Sequence, residues 1–343
     1  MAKSKKAVDT KIPMTSRIAF TLALFFPGLT FAHTRWFAES EVSPLVTSEP
    51  TTLYLAVWGA VALAIVIAGV YCERRGWFQF FFLTPRRDHA FSRAASTFSM
   101  IAGAFFLIAG THEYLFSPNL TVESGIPFAL VIAQIVIGLA FLAGAYARVA
   151  ALCLGALWAS AFFFTDALFL FEDIWIVSTA LFIFIMGTDY FSLVPFKALA
   201  HIGHRFRAYA LPILRLGTGT TLLILGFSEK ILRPELGVNF LELHPWNFMQ
   251  FLGFEWYSNY LFTLSAGAVE SLFGLIFMLG IMTRLNALIA TFVFTIPLFI
   301  LGPIELAGHL PHFAAIVLLF LFGGGDRLTL HSLVRPRHNK HMR

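Results

Sequence analysis

Apolar residues run along this chain in stretches of about twenty, separated by short polar segments. Past residue 50 there are nine of these stretches, at 53–72, 95–116, 126–146, 149–170, 174–190, 208–228, 258–280, 285–303 and 310–324. Crossing the hydrocarbon core of a bilayer takes ~20 helical residues, and in lipid only helices and closed barrels satisfy every backbone group. The pattern therefore predicts an all-α polytopic membrane protein with about nine transmembrane helices.

Composition strengthens that expectation. The chain of 343 residues is 58% hydrophobic and 13% charged, about half the charged share of a soluble domain. So little polar surface leaves the lipid bilayer as its solvent. The net charge of +5 comes from bases in short loops, the arrangement that orients a membrane protein rather than one that grips nucleic acid. Cys72 and Cys153 form no CxxC, which argues against dithiol chemistry. No phosphate-binding glycine loop, haem-attachment CxxCH or Ser-His-Asp arrangement occurs, and the loops are too short for a soluble catalytic domain.

Residues 1–32 read as a secretory signal. Lys3, Lys5, Lys6, Lys11 and Arg17 precede the apolar Ile18–Phe26, and Thr30-Phe31-Ala32 places small residues at a cleavage site. Cleavage would leave His33 at the N-terminus; an uncleaved anchor is the alternative. With residue 33 outside, nine crossings end in the cytoplasm, and the bases agree. Arg74, Arg75, Arg86, Arg87, Arg93, Arg148, Lys197, Arg205, Arg207, Arg284, Arg327 and the basic tail 331–343 fall inside, while only Arg35, Lys230 and Arg233 fall outside. This predicts a bacterial inner-membrane protein with a periplasmic N-terminus and a cytoplasmic C-terminus. Acids show the opposite bias, among them Glu113, Glu123, Glu172, Asp173, Glu229, Glu242 and Glu305. They serve either to keep the outer loops soluble or to attract protons and cations.

The chain also repeats itself. Gly103, Gly110 and Glu113 align with Gly219, Gly226 and Glu229, and Gln134, Gly138, Gly144 and Arg148 align with Glu270, Gly274, Gly280 and Arg284. Gly-Thr-Asp189 and Gly-Gly-Asp326 close the two copies. Each copy begins and ends inside, so the repeat is parallel, giving two four-helix bundles. The expected organisation is a segment 33–94 carrying the first transmembrane helix, a first module 95–193, a second module 208–330, and the tail 331–343. The second module contains an insertion, 231–256, whose Trp246 and Trp256 suggest an interfacial cap.

Comparison of the copies points to chemistry. Where the second has Arg215 and Glu270, the first has Ser99 and Gln134. A lone charge at bilayer depth is costly, so Arg215 and Glu270 are expected to neutralise each other, directly or through water; a structural ion pair fixing helix register is the alternative. Glu113 and Glu229 either bind substrate or protons or cap their own loops. Asp166, inside the fourth stretch, is a further intramembrane acid.

These residues resemble the DoxX/DoxD-like membrane proteins. The second copy carries the likeness best, through Arg215, Gly217, Gly226-Phe-Ser-Glu229-Lys230, Glu270, Gly274-Leu275, Gly280 and Thr283-Arg284. The resemblance implies a four-helix membrane bundle with a redox association, some members resembling the membrane subunit of a thiosulfate:quinone oxidoreductase. The expected function is then a quinone-interacting subunit of a periplasm-facing redox system with a periplasmic redox partner protein. Glu270, Arg215, Glu229 and Glu113 would handle protons, and Lys230, Gln134, His112 and Trp246 would contact substrate.

His309 and His312, with Glu305 one turn earlier, have donor types that suit a transition metal. A free amine and imidazole at His33 would suit copper, needing one more histidine. The acidic outer face and the repeated modules carry an alternative, uptake of a small cation or metal that would depend on His309 and His312. Another is a non-catalytic scaffold that recruits redox proteins through 231–256.

Overall fold

The computed structural model describes residues 51–85, 89–188, 190–194, 196, 199–301 and 303–330, without the side chains of 297–307. The signal-like segment, His33, Asp189, the tail 331–343 and the side chain of Glu305 lie outside this set. Within it the regular structure is helical, apart from an isolated bridge between Tyr114 and Thr121. In chain order the α-helices are α1 (Thr51–Arg74), α2 (Ala90–Thr111), α3 (Phe128–Ala143), α4 (Ala147–Ala161), α5 (Ala167–Glu172), α6 (Trp175–Met186) and α7 (Ala200–Phe206). Then come α8 (Ala210–Leu225), α9 (Pro234–Leu243), α10 (Phe248–Phe251), α11 (Asn259–Leu279), α12 (Thr283–Leu301) and α13 (Pro303–Phe322). A π turn, Gly226–Ile231, continues α8.

Among the described residues four helical runs are long and apolar enough to cross a membrane: α1, α2, the continuous Ala200–Ile231 and α11. The stretches 126–146, 149–170 and 174–190 form shorter helices than the sequence pattern implied, α3, α4 and α6. Helix α3 has 16 residues, a rise of about 24 Å against a ~30 Å hydrocarbon core. Its length is set by Gly144, which caps it at φ 62°, as Gly280 caps α11 at φ 67°. Two residues on, Tyr146 and Met282 also have positive φ, 50° and 44°, before α4 and α12 begin. The stretch 149–170 is broken as well. After α4 the chain turns, and Asp166 becomes the exposed N-cap of the short α5 rather than an acid within a spanning helix.

Small residues let the principal helix pairs touch backbone to backbone. Helices α2 and α3 cross at Gly103 and Gly138, where an added Cβ on Gly103 would stand 2.6 Å from Gly138 O. Helices α8 and α11 cross at Gly219 and Gly274, where the corresponding distance is 2.7 Å. Close crossings of this kind are the usual form of helix association in lipid, where apolar burial alone provides little drive.

Helix α6 packs on α8, and α13 packs on α2. A buried aromatic group formed by Phe98, Phe105 and Phe106 of α2 with Trp175 and Phe182 of α6 fills the contact between those two helices. Helix α1 buries no residue and leans on α11 and the segment just before it through polar contacts, Tyr54 Oη with Tyr257 Oη at 2.6 Å and Thr51 Oγ1 with Tyr260 Oη at 2.7 Å. At its other end Glu73 accepts a hydrogen bond from Met282 N at 2.8 Å. The insertion folds as α9 and α10. Leu236, Val238 and Leu241 of α9 pack against α11, while Phe248, Phe251, Leu252 and Trp256 are exposed, as an interfacial surface requires.

Candidate functional site

Several ionisable side chains meet around the π turn. Glu172 ends α5 and Asp173 follows it; both are buried. The Ser117 hydroxyl donates to Asp173 Oδ2 at 2.7 Å and the Trp175 indole to Oδ1 at 3.2 Å. Glu172 Oε1 accepts from the Ser228 hydroxyl at 2.7 Å, and Thr221 Oγ1 accepts from Trp175 N at 3.1 Å. One acidic dipeptide therefore ties the loop after α2 to the π turn after α8.

On the other side of that turn Lys230 Nζ donates to Glu270 Oε2 at 2.6 Å, with both side chains largely buried. Glu229 is fully buried, and the charges of Glu270, Glu229 and Glu172 all act on Lys230. Gly267 makes this approach possible, since a Cβ there would stand 2.8 Å from Lys230 Cβ. The π turn contributes the geometry. Its extra residue per turn presents Ser228, Glu229 and Lys230 to three different neighbours, and such turns recur at functional sites.

Glu172, Glu229 and Glu270 thus surround Lys230. Asp173 adjoins them beside Glu172, at the corner between α5 and α6. Burial pushes its carboxyl up to about 7; the hydrogen bonds from Ser117 and Trp175 pull it partly back, and the neighbouring Glu172 raises it further. Sequence reading placed Glu172 and Asp173 among the outer acids that either keep loops soluble or attract protons and cations, and gave Ser228 no role of its own. The available signal was two adjacent acids inside an otherwise apolar run, Ala167–Met186.

The expected direct pair of Arg215 and Glu270 is absent. Arg215, fully buried, donates instead to Phe277 O, to Met278 O at 2.8 Å and to Leu328 O at 2.9 Å. Phe277 lies seven residues beyond Glu270 on α11, about 11 Å along the axis. The guanidinium is neutralised by the carbonyl-rich C-terminus of α11, a site that attracts cations, and Glu270 takes Lys230.

The remaining expected residues are dispersed. Gln134 is wholly buried and serves the backbone, accepting from Phe116 N at 2.8 Å and donating to Tyr114 O at 3.1 Å and Phe106 O at 3.3 Å. Glu113 is exposed at φ 60°, and His112 stacks on Tyr114 with ring centroids 6.2 Å apart. Trp246 is half-buried in the insertion. His309 and His312 do share a face, with ring centroids 6.0 Å apart. His312 also packs on Trp175 beside a cavity of about 10 Å³, room for about one water. Among the described residues no three His, Cys, Asp or Glu side chains converge to hold a metal; Glu305 and His33 fall outside that set.

Compared with protein-family models, with curated proteins and with solved structures, the chain matches none.

Proposed function

We propose that this chain is a multi-pass inner-membrane protein built as two parallel four-helix repeats. Its acid-base cluster exchanges protons with a quinone in a periplasm-facing redox system. The observation that carries the reading is Lys230, held 2.6 Å from Glu270 with Glu229 and Glu172 close by. Reducing a quinone to a quinol takes up two electrons and two protons. Buried carboxyl groups beside an ammonium are suited to supply and recover those protons. The electrons would come from a periplasmic redox protein, for which the exposed apolar residues of 231–256 offer a landing surface. The quinone itself is suggested by the resemblance to the DoxX/DoxD-like family, and the outer position of the cluster by the distribution of bases.

The second reading is an uptake factor, in which the acids on the outer side of the chain attract a small cation. Native mass spectrometry of the gently solubilised chain, incubated with a short-tailed quinone, separates the two. An adduct of quinone mass that is lost in both Glu270→Gln and Lys230→Gln is the expected result. If the adduct persists in both variants, or never forms, the quinone assignment fails; a cation adduct lost in the same variants establishes the second reading.

A further inference from the structure

Helix α1 has 24 residues, a rise of about 36 Å, so both its ends emerge from a ~30 Å hydrocarbon core. Arg74 and Arg75 stand exposed at its second end, where a charge reaches water at little cost. The segment that follows, 76–84, carries Trp77, Phe78, Phe80, Phe81 and Phe82. It is clasped to the turn between α11 and α12. Gln79 donates to Glu73 Oε1 at 2.9 Å, and Glu73 Oε2 accepts from Met282 N at 2.8 Å. Arg284 Nη1 donates to Phe80 O at 2.7 Å, Nη2 donates to Thr84 Oγ1, and Phe81 lies beneath the guanidinium. Gly76, Phe78 and Phe80 take positive φ, 73°, 59° and 45°. A phenylalanine adopts that conformation only where its surroundings impose it.

The clasp leaves the rings facing outward. Phe81 and Phe82 are 70% and 74% exposed, and Trp77 and Phe78 about half exposed. A contiguous apolar surface of this kind marks contact with a partner or a membrane, and its surroundings decide between the two. Trp77 meets the ring of Tyr71 edge-on at 6.0 Å, and Tyr71 continues the exposed flank of α1 that includes Ile65 and Ile67. Helix α1 buries no residue, so that flank is a lipid-facing surface. Two helices long and apolar enough to span, α1 and α11, end beside the segment, which puts the rings at the edge of the hydrocarbon. Aromatic side chains are favoured at that depth.

We propose that segment 76–84 is a membrane anchor. Trp77, Phe78, Phe81 and Phe82 insert among the head groups and upper acyl chains of the leaflet at the Arg74 end of α1. The anchor fixes the depth of α1, which has no buried side chain to fix it. Through Glu73 and Arg284 it ties that depth to the end of α11, the helix that carries Glu270. The inference rests on the membrane assignment and not on the quinone reading, so a quinone adduct that never forms leaves it standing.

The test is fluorescence of the full chain reconstituted in phosphatidylcholine vesicles. Their acyl chains carry bromine either near the head group or near the chain end, and iodide serves as the aqueous quencher. The difference in emission between the wild-type chain and Trp77→Phe isolates Trp77, and Phe82→Trp added to the Trp77→Phe chain reports the other end of the segment. Both signals should be lost more to the shallow bromines than to the deep ones, and little to iodide. Trp58, within the apolar body of α1 and isolated in the same way by Trp58→Phe, is the control. If bromines quench Trp58 while either segment signal fails to respond to them, the anchor is overturned; a response to iodide alone then leaves the rings for a soluble partner. If bromines quench none of the three, the membrane assignment fails and the anchor with it.

Discussion

Glu113 and Glu229 close the first helix of the two sequence copies in the same register, yet one is exposed at φ 60° and the other is fully buried in a π turn. The difference traces to the residue facing each loop. Gln134 has both a donor and an acceptor, so it can satisfy carbonyls and an amide of a loop that has left the helix. A carboxylate at the same position only accepts, and Glu270 cannot serve those carbonyls. The second copy keeps its helical hydrogen bonds through the π turn, and Glu270 instead receives an ammonium from Lys230. One amide-to-acid change thus separates a stapled loop from a charged centre.

Exchanging the two residues breaks this comparison most severely. Gln134→Glu removes both donated bonds and buries a carboxylate among carbonyl oxygens, so thermal unfolding in detergent should show a loss of about 4 kcal/mol. Glu270→Gln leaves Lys230 without its closest carboxylate. Both side chains retain some exposure, at 18% and 14%, so about 2 kcal/mol is expected. Similar losses from the two substitutions would show that the loop staple and the ion pair are equivalent, against the difference argued from their donors.

The glycine crossings provide a control in which the copies should agree. Gly103→Ala and Gly219→Ala each place a Cβ within 2.6–2.7 Å of the partner carbonyl, and each should cost about 2 kcal/mol as the helices separate. A tolerant position in one copy and not the other would mean that the shared glycines do not do the same work.

A third measurement concerns the corner that joins the two regions. Asp173 has a folded-state pKa of about 7 against an ordinary 3.8, so the folded chain holds this proton more tightly than the unfolded one. Its contribution is full below about pH 4, declines as pH rises to about 7, and is then constant. Glu172, on the same corner, helps to raise the Asp173 carboxyl. Asp173→Asn should reduce the slope of stability against pH over this window, read by melting in detergent across the series. An unchanged slope would remove Asp173 from the proton-holding group.

How much of this was legible in the sequence depends on the kind of residue. Helical character follows from the apolar pattern, whereas Gly103, Gly138, Gly219 and Gly274 were visible in the sequence as aligned glycines but not as the helix crossings they form. Helix lengths did not follow as well, since Gly144 and the turn before Asp166 end helices inside stretches that are apolar throughout. The partner of Arg215 was misread for a related reason. Setting the two stretches side by side suggested Glu270 as the partner of Arg215, but backbone carbonyls leave no trace in a sequence, and the C-terminus of α11 is the counter-charge. In the first copy the same end of α3 is served by Ser192 and Thr188, which donate to Gly144 O at 2.6 and 3.2 Å. With those hydroxyls in place, Ser99 needs no cation.

The smallest effect gives the sharpest distinction between the copies. Glycine loses little at positive φ, where a side chain costs roughly 1 kcal/mol. Glu113→Gly should therefore stabilise the chain by about 0.5–1 kcal/mol and leave any quinone adduct unchanged. Glu229→Gly, in right-handed helical backbone, should destabilise it by about 1 kcal/mol through backbone freedom alone. It also removes a carboxyl close to Lys230, so the quinone adduct should weaken with it. Opposite signs for one substitution at aligned positions would place the chemistry in the second copy. Equal signs would mean that burial of Glu229 serves only the fold.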